Sequence, residues 1–231
     1  MNLLFLTRLS LITIALITPF NSIAKDVEIK LSFTPSLQNG KDIYETCASC
    51  HLPEGWGNAD GTYPQIAGQH QNVLIQQLLA IRSGKRENPT MFPFVQERTI
   101  GGYQSLADVV VYISTLPMHP KHSKGPWTKG SREYKEGKTL FSQFCAACHG
   151  AAGQGDNSTQ TPKLYGQHYP YLKRQLKLIK QDLRSVNPAM KTIVNSLNTN
   201  QLDSIVNYIS QLEVPKEEKA PSLNWRNTDF Y

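Results

Sequence analysis

The sequence predicts an all-α protein made of two tandem helical repeats. Three observations carry that expectation. A pentapeptide, Cys47-Ala48-Ser49-Cys50-His51, returns 98 residues later as Cys145-Ala146-Ala147-Cys148-His149. The segments flanking the two copies match in the same order. Apolar residues recur at helical spacing, and no strand-like alternation flanks either copy. A chain of 231 residues has room for two small domains of this kind.

Two cysteines three apart on one helical turn present both thiols to the same edge of a flat ligand, and the next residue's imidazole points at its centre. That is the geometry of covalent haem attachment, in which each thiol adds to a vinyl group and the histidine becomes an iron ligand. Cys47, Cys50 and His51, and Cys145, Cys148 and His149, are therefore the expected attachment residues of two haem c groups. Zinc would more usually draw its two cysteine pairs from neighbouring sequence, and a redox disulfide would need a βαβ setting. All four cysteines lie in the two motifs, so no thiol is left for a structural bridge.

The elements follow in order. Residues 1–24 read as a secretory signal: Arg8 supplies charge, Leu9 to Ile17 an apolar run, and Ser22-Ile23-Ala24 a small-residue cleavage site. An uncleaved membrane anchor is the alternative. Residues 25–36 form an extended lead-in. The first repeat spans 37–116 and the second 131–213. Gly40-Lys41-Asp42-Ile43-Tyr44 answers Gly137-Lys138-Thr139-Leu140-Phe141 on a helix leading into each motif. The glycine precedes the first cysteine by 7 residues in one repeat and by 8 in the other, so the first repeat is expected to absorb a one-residue deletion. Glycine-rich loops follow each histidine, then Gly68-Gln69-His70 and Gly166-Gln167-His168. The next helices carry Leu74, Leu78 and Ile81, and Leu172, Leu176 and Ile179, at i, i+4 and i+7. Arg86 and Arg184 near their ends are either solvated cations or partners of haem propionates.

Asn88-Pro89-Thr90-Met91 and Asn187-Pro188-Ala189-Met190 come next. Met91 and Met190 lie 40 and 41 residues after their histidines, behind the same Asn-Pro pair, which favours thioether ligation over core filling. Their rivals for the sixth position are His70 and His168, read instead as helix-start residues. A last helix closes each repeat: Leu106, Val109, Ile113 and Leu116, then Leu202, Ile205, Ile209 and Leu212. Residues 117–130, rich in Pro, Lys and His, read as a linker with Met118, His119 and His122 at its surface. Residues 214–231 form a tail without helical period, left to pack through Trp225 and Tyr231 or to stay mobile.

The formal charge of +6 is uneven. Residues 25–116 hold seven basic and nine acidic side chains, whereas 131–213 hold ten and six. This polarity could orient the molecule on a partner and is no nucleic-acid signature.

Laid out in this way, the chain resembles the class I cytochromes c, and most closely the dihaem c-four type, over about residues 37–213. The resemblance implies that Gly40 and Gly137 let the first helix cross the last near Tyr112 and Tyr208. It also implies that the carbonyls of Pro64 and Pro162 accept the Nδ1 protons of His51 and His149. The iron ligands would be His51 with Met91 and His149 with Met190. Irons closed on both faces favour electron transfer over catalysis. The implied protein is a periplasmic carrier for redox protein partners, delivering electrons to a terminal oxidase or another respiratory enzyme, with neither nucleic acid nor a small-molecule substrate. A dihaem subunit of a dehydrogenase complex is the alternative, and a catalytic or gas-sensing haem protein is a further one.

Overall fold

The computed structural model describes residues 34–230. The expected signal segment and Tyr231 lie outside the described residues. Nine α-helices form among the described residues, with three isolated β-bridges and no longer strand.

The first half contains α1 (Leu37–His51), α2 (Gln71–Arg82), the single turn α3 (Glu97–Ile100) and α4 (Tyr103–Thr115). The second contains α5 (Arg132–Phe144), the turn α6 (Ala146–His149), α7 (Tyr169–Lys180), α8 (Pro188–Ser196) and α9 (Thr199–Ile209). Their starts are chemically specified. The Ser36 and Ser131 hydroxyls accept the amides of Asn39 and Tyr134 at 3.2 and 3.1 Å. Asn187 accepts the Met190 amide, with Pro188 in the first turn, and Asn198 with Gln201 forms a reciprocal capping box.

The periodic residues form the core. Tyr44, Leu106, Val109, Val110 and Ile113 are buried in the first half, and Phe141, Ile179, Val194, Ile205 and Ile209 in the second. Each such side chain contributes roughly 1.5–3 kcal/mol on burial. In each half the first helix crosses the last at the glycine. A Cβ on Gly40 would collide with the Asp108 carbonyl and come within 3.0 Å of Tyr112 Cβ. One on Gly137 would collide with the Ser204 carbonyl and come within 3.1 Å of Tyr208 Cβ.

Two expectations are corrected. The spacing difference before the motif is resolved in the second half: α1 runs unbroken through His51, whereas the extra residue interrupts the helix at Cys145, between α5 and α6. Met118 and His122 are not surface residues, being only 2% and 6% exposed. Met118 instead pairs with the tail, its amide donating to the Glu218 carbonyl at 2.8 Å and its carbonyl accepting the Ala220 amide at 2.9 Å. The tail in turn crosses back onto the first half. Trp225 packs on Trp56 with ring centroids 5.8 Å apart, and Phe230 meets Tyr44 edge-on at 5.8 Å. Asn227 donates to the Pro53 carbonyl and to the Tyr112 hydroxyl, which itself donates to Asp229 at 2.8 Å.

Candidate functional site

A cavity of about 1110 Å³ opens between the helices, and residues of both halves line it. The sequence-predicted residues converge there: Cys47, Cys50, His51 and Met91 from the first half, and Cys145, Cys148, His149 and Met190 from the second. Both motifs reach it because each lies at the end of a helix pinned by its glycine crossing.

The four thiols are unpaired. Burial pushes the Cys47 thiol up to about 12 and Cys145 up to about 11, so both stay protonated and uncharged at neutral pH. The imidazoles of His51 and His149 are fixed through Nδ1. His51 Nδ1 donates to the Pro64 carbonyl at 2.9 Å, and His149 Nδ1 to the Pro162 carbonyl at 3.3 Å. Burial lowers both pKa values against the opposing pull of those carbonyls, which keeps the rings neutral. Each Nε2 is then a lone-pair donor without a hydrogen-bond partner among the described residues. A largely apolar cavity lined by paired thiols, with a neutral imidazole and a thioether in each half, fits a covalently held haem in each half. No cluster of three or more His, Cys, Asp or Glu suited to a bare metal ion occurs among the described residues.

His70 and His168 do not line the cavity. They sit at the N-terminal caps of α2 and α7 and reach into the opposite half. His70 Nε2 donates to the Gln154 carbonyl at 2.9 Å, and His168 Nε2 to the Trp56 carbonyl at 2.8 Å. The His168 Nδ1 accepts the Ser123 amide at 3.2 Å, which fixes its neutral tautomer. His119 and His122 are also engaged elsewhere, with the Lys121 amide and the Ser210 carbonyl. All four are thereby excluded as cavity groups.

The histidine exchange belongs to a reciprocal interface. Gln69 donates to the Lys163 carbonyl at 3.0 Å and accepts the Lys163 amide at 3.0 Å. Gln167 does the same with Gln65, at 2.8 and 3.1 Å. Positions 65 and 163, and 69 and 167, are equivalent in the two repeats, so the halves are related by an approximate two-fold axis. Arg86 and Arg184 also lie on it, their backbones paired antiparallel. Arg86 donates to Gln77 at 2.8 Å and across to Gln175 at 3.3 Å; Arg184 donates to Gln175 at 2.6 Å and across to Gln77 at 3.2 Å. Both guanidiniums face the cavity, so they are not freely solvated helix-end charges. Neither forms a salt bridge with a carboxylate among the described residues. Residue reading missed the glutamines, although Gln77 and Gln175 also stand 98 apart in register.

The Cytochrome c family profile matches residues 37–117 and again 134–213. The chain is 30% identical over 182 residues to cytochrome c-552 of Acidithiobacillus ferridurans, covering 74% of this chain and 75% of that one. It is 27% identical to cytochrome c4 of Azotobacter vinelandii, over 75% and 87% of the two chains. Its fold is similar to the crystal structure of reduced recombinant cytochrome c4 from Pseudomonas stutzeri, with a TM-score of 0.66 and 24% identity over 78% of this chain and 100% of that one. With two consecutive matches, each holding one cysteine pair and one imidazole on the shared cavity, the chain belongs to the cytochrome c family and is a dihaem, c4-type member carrying two covalently bound haem c groups.

Proposed function

We propose that Cys47 with Cys50 and Cys145 with Cys148 form the thioether bonds, that His51 and His149 are the proximal iron ligands, and that Met91 and Met190 are the distal ones. The domains would be 37–116 and 131–213, joined by 117–130 and followed by the tail 214–231. The observation that carries this reading is the sorting of side chains. Both methionines share the cavity with the motif residues, whereas the histidines that could have displaced them are committed across the interface.

The protein is an electron-transfer protein with redox protein partners, and haem supplies the one-electron chemistry. The residues of this chain hold that group and shape access to it. Pro64 and Pro162 keep each proximal ring oriented, so its Nε2 stays in place through a redox cycle. Asn88 and Asn187 accept the amides of Met91 and Met190 at 3.2 and 2.8 Å, fixing the backbone from which each thioether would reach its iron. Irons held by His51 with Met91 and by His149 with Met190 would leave no position for substrate, which supports a carrier rather than an enzyme. The location we propose is the periplasm, where the carrier would supply a terminal oxidase or another respiratory enzyme. No helix among the described residues is long and apolar enough to cross a membrane.

The test is the ferric absorption spectrum of the purified holoprotein with two haems confirmed by mass. A far-red charge-transfer band diagnostic of methionine ligation is expected, and Met190→Ala should abolish it in one haem and open that iron to carbon monoxide when reduced. An unchanged spectrum in that variant would remove Met190 from the ligand set.

A further inference from the structure

Tyr171 is one of the positions at which the reciprocal interface is broken. Tyr171 lines the cavity from α7, and the equivalent residue of the first half, 98 positions earlier, is Val73 on α2. The Tyr171 hydroxyl accepts a hydrogen bond from Arg86 Nη2 at 3.0 Å, and its ring lies under the Arg174 guanidinium, 5.3 Å from the centroid. Among the described residues nothing accepts the proton of that hydroxyl. Burial works to raise the phenol's pKa, but Arg86, Arg184 and Arg174 together outweigh it and hold the group below an ordinary tyrosine. A phenol polarised by three cations is a strong hydrogen-bond donor, and its best acceptor is an anion. Glu87, the carboxylate on the cavity lining, is exposed and makes no hydrogen bond to Tyr171; the acceptors a haem would bring are its propionates, so the argument rests on the two-haem reading above.

We propose that Tyr171 is a positioning residue that makes the two haem sites unequal: held by Arg86, it donates its O–H to a haem propionate, a bond that Val73 cannot offer at the equivalent position of the first half. A carboxylate whose charge is drawn into a hydrogen bond stabilises the nearby ferric iron less, so this bond raises the potential of one haem and separates it from the other. Arg86 and Arg184 share Gln77 and Gln175 symmetrically, but only Arg86 also holds a tyrosine hydroxyl.

The experiment is a spectroelectrochemical titration of the holoprotein and of Tyr171→Phe, which keeps the ring under Arg174 and removes only the hydroxyl. The expected result is a fall in one midpoint potential, with the other moving less and the haem count by mass still two. Arg86→Lys keeps the charge but loses the two-point hold, and it should lower the same potential. Two unmoved potentials, or two that fall equally, in a Tyr171→Phe protein with both haems would overturn the proposal. A parent protein lacking two haems would instead overturn the reading beneath it.

Discussion

His122 and His168 show how a side chain that looks like a spare ligand is used for closure. Burial pulls the His122 pKa down to about 4 against the Ser210 carbonyl, with Lys124, His168 and His119 adding to the fall. Burial also lowers His168, opposed by the Trp56 carbonyl, and His119. These rings stay neutral when folded, whereas free histidines near 6.5 take up protons. Between about pH 6.5 and 4 the unfolded chain therefore binds more protons. Stability is full above that window and is lost as pH falls through it, by at most about 3 kcal/mol from His122. Denaturant unfolding of the holoprotein at pH 7.5 and 5 should show this loss, and His122→Asn should reduce it. Equal pH slopes in the two proteins would refute the assignment. The attachment residues were legible in the sequence because Cys-x-x-Cys-His carries its chemistry in its spacing. The burial of His122 was not, because it depends on a carbonyl 88 residues away.

The helices were read well where one face is apolar, since period alone decides which residues meet the core. α2 with α7, and α4 with α9, fall where Leu and Ile recur. Of the tail only its packing through Trp225 was offered as one of two alternatives, and α3 was not foreseen: neither repeats, and both are placed by contacts distant in sequence. The interruption at Cys145 likewise depends on where the cysteines must stand relative to the α5–α9 crossing, which one sequence cannot specify. That crossing is testable. In Gly137→Ala the added methyl meets the backbone of Ser204 rather than a movable side chain, and helix propensity favours alanine, so any loss reports the contact. Thermal unfolding should show destabilisation of about 1–3 kcal/mol. A gain in stability would mean that the helices are not in contact there.

At the scale of the whole molecule, the tail makes the first half depend on the last residues of the chain. Lys163 pairs with Glu218 at 2.7 Å, Tyr165 donates to the same carboxylate, and Asn227 and Phe230 complete the surface around Tyr44 and Tyr112. Ending the chain after Ala220 removes three hydrogen bonds to the first half and two aromatic contacts, on the order of 4 kcal/mol in all. Calorimetry of the truncated holoprotein should show the first half melting earlier while both haems remain bound. A melting profile identical to that of the full chain would show the strap to be passive.

The exchange of Gln69, His70, Gln167 and His168 across the axis has a consequence for any attempt to isolate one half. Each lobe offers donors and acceptors shaped for its twin, so a lobe cut free would leave them facing water with their match missing. The remedy nearest to hand is another molecule of the same lobe, and a solitary half should therefore be found in solution as a homodimer.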